Sequence, residues 1–514
     1  MKKKIVNYLL LLTSAMSLSA CNIFDLITSN SSYTYPSYTD SEYVYENRNG
    51  YENHKFSYLM EDVGYSADYP YLSSHKTESG KNPKILVIPV AINGYELNAT
   101  DRNLNRIKKA FSGSMEETSW QSVSSFYSRS SFGKLSLDIT VAPSWYACGK
   151  TVEEIYQKDI ASRSKTAGVE EILNNATKWY KNTYSSDATE LDSNKDGYID
   201  AVWLIYSAPN YQSEPSLSKY ETTLWAYTFW SSLSPKVSSP VAGTFGWASY
   251  DFMLEGYGSL GIDAHTYIHE TGHMLGLDDY YDYNGTNGCA PMGAVDMMDA
   301  NIIDHNAFSK TILGWTYPFV INQEGSITIK PSCTSGDVLL IPTSKGWNGT
   351  PFDEYMMVEF YTPENLNQHD SAHKYSNGVQ GFQEPGIRIY HVDARLVYTK
   401  TVSPVKWVYT DTLQRYSMVA HSNTPNPDSR NYINPEFRLI QEMDATYKRD
   451  FGSSYNIADD TSLFHTGDTF SFVSYRSSFP LGSSSLMNNG YKFEYKITVD
   501  SISSEKAVLS FSKS

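Results

Sequence analysis

His269, Glu270, His273, Gly276 and Asp279 form the spacing HExxHxxGxxD, the part of this chain best equipped to do chemistry. Residues four apart on a helix share a face, so His269 and His273 can grip one metal ion from one side. Glu270 reaches the rim of the same site, where a carboxylate can take a proton from metal-polarised water. Gly276 lacks a Cβ and can end the helix in a left-handed turn. That turn would return Asp279 as a third ligand. Three protein ligands leave the fourth tetrahedral position to water, which separates a catalytic zinc from a closed structural one. The plain alternative is an amphipathic helix with two surface histidines; the Gly and the carboxylate beyond the bare HExxH favour a zinc hydrolase.

The surrounding elements must hold these residues. Asp251 to Asp263 reads as a loop or edge strand, and Ile262, Tyr267, Ile268, Met274 and Leu275 have the spacing of a helix packed in a core. His265, four residues before His269, reads as a supporting or packing histidine. Downstream, Gly293 to Asp299 contains Met297 and Met298. Metzincins place a methionine-bearing turn beneath the zinc, with Met298 the first candidate here and Met297 the second; the alternative is two gap-filling core methionines. Where some metzincins carry a tyrosine two residues later, this chain has Ala300. Tyr280, Tyr281 and Tyr283 are close in sequence, and the choice among them is open.

HETGHMLGLDDYYD, residues 269–282, resembles the corresponding stretch of the immune inhibitor A family of secreted bacterial metallopeptidases. Further similar segments follow in order: Ser122 to Tyr127 with Ser131 to Leu135, Asp196 to Asp200, Lys310 to Trp315, and Gly386 to Asp393. The resemblance spans residues 84–400. It implies a zinc endopeptidase with Asp279 as ligand in place of the usual third metzincin histidine, and it leaves the substrate open.

Lys2, Lys3 and Lys4 precede a short apolar run, Ile5 to Met16, too short for a lasting membrane span. Leu18-Ser19-Ala20-Cys21 resembles a bacterial lipobox, which implies cleavage before Cys21 and diacylglycerol on its sulfur. The expected localisation is the outer face of a bacterial membrane, held by the lipid anchor, or secretion. Residues 22–80 read as a Ser/Tyr/Asn-rich tether or short pro-segment. The net charge of −16 gives no basic surface for nucleic acid and no pull toward anionic lipid. Cys148, Cys289 and Cys333 permit at most one internal disulfide, with Cys148–Cys289 as the expected pair.

The fold expectation is α+β. A metzincin-like metallopeptidase domain over residues 81–318 sets the zinc helix across a mixed sheet, and an all-β, sandwich-like region fills 319–514. Buried strands are expected at Ile85 to Ile92 and Ala201 to Tyr206, an alternating strand at Leu135 to Val141, and helices at Leu104 to Phe111 and Val152 to Tyr184. Asp192, Asn194, Asp196, Tyr198 and Asp200 have the spacing of the first part of a calcium loop, with Gly197 at the turn. Trp203 at the last position excludes a full EF-hand, and an Asx-rich turn is the competing account. Together these readings predict a monomeric surface endopeptidase using Zn2+, with Ca2+ at the second loop, acting on extracellular proteins or glycoproteins. Two other classes compete: a surface adhesin or glycan-binding lipoprotein with a vestigial zinc site, and a zinc hydrolase of non-peptide amides.

Overall fold

The computed structural model describes residues 43–64, 70–77, 80–185, 187–254, 261–282, 288–402, 405–414, 416–424 and 433–513. The expected signal peptide 1–21 with Cys21, the expected tether as far as residue 42, and Tyr283 lie outside them.

The architecture is mixed α/β, built on several sheets. Strands β1 (Lys84–Ala91), β2 (Asp138–Val141), β3 (Ala201–Tyr206), β4 (Tyr227–Trp230) and β5 (Thr244–Ser249) form the first sheet in the order β2-β1-β3-β5-β4. The pairs β1–β2, β1–β3 and β3–β5 are parallel, and β4 joins β5 antiparallel at the edge. Alternate residues of the central strands serve two cores. Ile85, Val87, Trp203 and Ile205 face one, with helices α1 (Asp101–Ser112) and α2 (Val123–Ser130). Leu86, Ile88, Val202 and Leu204 face the other, with α3 (Val152–Ser162) and α4 (Ala167–Thr183). Burial on both faces is why these strands read as unbroken apolar runs.

The helical stretch expected at Val152 to Tyr184 forms two helices. Arg163 ends α3 in a left-handed conformation at φ 53°, and the Asp159 carboxylate accepts from Gly168 N–H at 2.7 Å. A Cβ at Gly168 would lie 2.4 Å from the Ile155 carbonyl, so the two helices meet where only glycine fits.

Beyond residue 318 the chain turns to antiparallel strands: β6 (Val338–Pro342), β7 (Glu354–Tyr361), β8 (Gly386–Asp393) and β9 (Ile440–Glu442), adjacent in that order. One face shares a core with the segments Gly325–Ile329, Tyr495–Ile502 and Ala507–Lys513. The other face, through Leu340, Met357, Tyr390 and Ile440, joins the same core as α1 and α2. One apolar interior thus runs across residue 318.

The described part of the expected tether is not free. Tyr51 is buried in the C-terminal core and Val63 and Leu72 in the first. Trp315 Nε1 donates to the Ser74 carbonyl at 2.9 Å. A few well-spaced apolar side chains suffice to fix a segment whose average composition is polar. The expected Cys148–Cys289 disulfide is also corrected: all three described cysteines are free. Cys148 lies against the Ala91 carbonyl, Cys289 against that of Gly452 and Cys333 against the Thr362 hydroxyl, so no two share a neighbourhood.

Candidate metal centre

Helix α5 (His265–Met274) lies over β5 and β4. Gly246 of β5 permits the approach, since a Cβ there would sit 2.7 Å from Met274 Cε. Thr228 of β4 donates its hydroxyl to the Glu270 carbonyl at 2.8 Å, and Tyr127 of α2 donates to that of Ile268 at 2.7 Å. The helix ends in a Schellman turn: Leu277 N–H reaches the Gly272 carbonyl at 3.1 Å and Gly276 N–H that of His273 at 2.9 Å. Gly276 takes φ +96°, and the exit loop returns Asp279 to the helix.

His269 Nε2, His273 Nε2 and Asp279 Oδ1 form a triangle with sides of 3.1, 3.2 and 3.2 Å. Atoms bound tetrahedrally at the usual 2.0–2.1 Å from zinc stand about 3.3 Å apart. The far side of each ring explains its aim. His269 Nδ1 lies 2.8 Å from the Met297 carbonyl and His273 Nδ1 2.8 Å from that of Leu277. A carbonyl only accepts, so both Nδ1 atoms carry the proton and both Nε2 lone pairs point inward. Three acceptors facing one another at this range repel unless a cation or a proton lies among them.

Glu270 is buried beside them, with a ligand atom within 4.8 Å of those of both histidines. Its buried Oε2 has no hydrogen-bond partner. Burial raises the Glu270 carboxyl above its ordinary value, against the pull of His273 and His269. Burial alone would lower His273, but the Asp279 carboxylate outweighs it and holds the imidazole at about 9. Asp279 in turn is held well below the carboxylate range by the two histidines, despite its burial. The donor set suits a divalent ion of zinc type: two imidazoles, one carboxylate and a base alongside.

Met297 and Met298 serve in different ways. Met298 packs directly beneath the helix, its Sδ 2.7 Å from where a Cβ on Gly272 would be. Met297 supplies the carbonyl that orients His269. Of the tyrosines, Tyr280 is committed to Ser309 at 2.8 Å, whereas the Tyr281 ring lies 6.5 Å from that of His269. His265 makes its contacts with other residues. It stacks on Trp120 at 4.3 Å, with Nδ1 2.6 Å from Asp263 Oδ1.

The second loop is organised differently. Asp192 accepts from Asp196 and Gly197 N–H, Asn194 from Asp196 N–H, and Asp196 from Tyr198 N–H. Asp200 accepts from Ser193 and Lys84 N–H. The contacts of Asn194 and Asp196 are Asx turns, while Asp200 ties the loop to Lys84 at the start of β1. Among the described residues the three-ligand cluster of His, Cys, Asp and Glu is the one at His269, Glu270 and His273, and the aspartates of this loop form no second one.

Sequence reasoning missed the support: Thr228, the carbonyls of Met297 and Leu277, and the residues behind them. A backbone carbonyl has no side-chain signature, so no signal in the sequence could have found those two. Compared with known protein families and with curated proteins, the chain matches none.

Proposed function

We propose that this protein is an exported zinc-dependent endopeptidase, with a metzincin-like catalytic half and a sandwich-like β region after residue 318. The observation that carries the reading is the triangle of His269, His273 and Asp279 with the unpartnered Glu270 Oε2 beside it.

His269, His273 and Asp279 would hold the ion. When bound, zinc supplies a Lewis acid and lowers the pKa of water toward neutrality. Glu270 accepts the proton of the attacking water and delivers it to the leaving amine. Burial raises its carboxyl above the ordinary value, which favours its holding the proton between the two steps. Edge strand β4, tied to the helix through Thr228, offers backbone groups beside this carboxylate, where an extended peptide can add as a further strand. That edge favours a polypeptide over a non-peptide amide. Lipidation at Cys21 would keep the activity at the outer membrane face.

The test is an unbiased peptide library digested by the full-length protein with zinc, with chelator, and by Glu270→Gln, zinc content being measured throughout. Internal cleavage should vanish with chelator and return with zinc. Glu270→Gln should keep its zinc and lose at least about 10²-fold in rate. Zinc-loaded wild type that cuts no peptide sinks the reading; release of amine from cell-wall fragments would then mark a non-peptide amidase, and no hydrolysis at all a binding protein.

A further inference from the structure

We infer that the C-terminal half completes the metal centre, with Arg388 and Asn423 as positioning residues that brace the two loops aiming His269 and Asp279. The inference rests on the metal reading above and concerns residues that touch neither the ion nor substrate.

Arg388 is 1 % exposed. From β8 its Nε and Nη2 donate to Glu442 of β9 at 3.0 and 2.6 Å, and its Nη1 lies 3.5 Å from Glu359 of β7. Nη2 also donates to the Val295 carbonyl at 2.9 Å. Val295 opens the short turn whose Met297 carbonyl receives the Nδ1 proton of His269. The turn is drawn to the same sheet again at Pro291, whose carbonyl accepts from Glu442 N–H at 2.8 Å. A guanidinium can bridge a carboxylate and a carbonyl because its donors are fixed in a plane. Buried ion pairs add little net stability over apolar residues of like size, so the distinctive consequence of this one is where it holds Val295.

Asn423 does the same for the exit loop. Fully buried, it donates from Nδ2 to the carbonyls of Tyr280 and Ile440, each at 2.8 Å, and accepts from Ile440 N–H at 3.0 Å. Tyr280 follows Asp279 directly, and its N–H bonds the Met298 carbonyl at 2.8 Å. The two ligand-bearing loops are therefore tied to each other, and each is tied to the C-terminal sheet by a separate side chain.

Three full-length proteins test this: wild type, Arg388→Met/Glu442→Met, and Asn423→Ser. The paired substitution removes both partners and so leaves neither charge stranded; Glu359 keeps its contact with the Tyr390 hydroxyl. Zinc affinity is read by competition with a chromogenic chelator, ligand geometry by the visible spectrum of the cobalt(II) form, and folding by the melting temperature without metal. Each variant should bind zinc about tenfold more weakly or worse, as loss of an outer partner does, and should shift the cobalt bands. Zinc affinity and cobalt spectrum equal to wild type in either folded variant overturn the inference while leaving the metal reading intact. If one variant does not fold, the other decides. Wild type that binds no zinc overturns the metal reading and this inference with it.

Discussion

The carboxylate of Asp279 makes the charge balance of the triangle depend on one residue. Asp279 holds His273 at about 9 against the effect of burial. In metal-free protein Asp279→Asn leaves burial unopposed by that charge, so the His273 titration followed by NMR should fall from about 9 to near or below its ordinary 6.5. Zinc affinity should drop by more than the roughly tenfold loss typical of an outer partner. An unmoved titration would mean that Asp279 does not face His273 in solution. The convergence of His269, His273 and Asp279 was legible because helical spacing and a glycine turn are local rules that act on consecutive residues. The braces were not, because Arg388 and Asn423 reach the site across the fold and nothing in their neighbours marks them.

At the scale of elements, the exit turn of α5 carries the geometry. Gly276 sits at φ +96°, and a Cβ there would lie 2.8 Å from Met60 Cγ. Gly276→Ala should therefore cost at least about 1–2 kcal/mol from the left-handed backbone alone, read as a lowered midpoint in chemical denaturation. Because the same turn returns Asp279, zinc affinity should weaken with it; unchanged stability and affinity would show that the turn is tolerant. The buried strands at 84–91 and 201–206 were readable from their apolar runs. The position of the break between α3 and α4 was not: Arg163 is left-handed without being Gly or Asn, and the close approach of Gly168 to Ile155 joins residues on two different helices. In the loop of calcium-like spacing, Asp192, Asn194 and Asp196 accept from their own backbone N–H groups.

Across the whole molecule, the halves on either side of residue 318 are joined by a continuous core and by a charge sandwich. His265 of α5 has Nδ1 2.6 Å from Asp263 and Nε2 3.3 Å from Asp370, which belongs to the C-terminal half. Burial would lower this imidazole, but Asp263 and then Asp370 raise it to about 10. The folded value thus lies above the unfolded one near 6.5. The stabilisation is fully present below that lower value and is lost as pH rises through about 10. His369 and Asp370 also face the ring, so the comparison must isolate one residue. Denaturation of zinc-loaded wild type and His265→Gln at a series of pH values does so. Wild type should lose stability between pH 7 and 10 more steeply than the variant, by at most about 1.4 kcal/mol per pH unit, the limit for one proton. Titrations remote from His265 contribute equally to both curves and cancel. Parallel curves would show that His265 is neutral in the folded protein, and the two halves would then be held by apolar contact and backbone bonding without this cation between them.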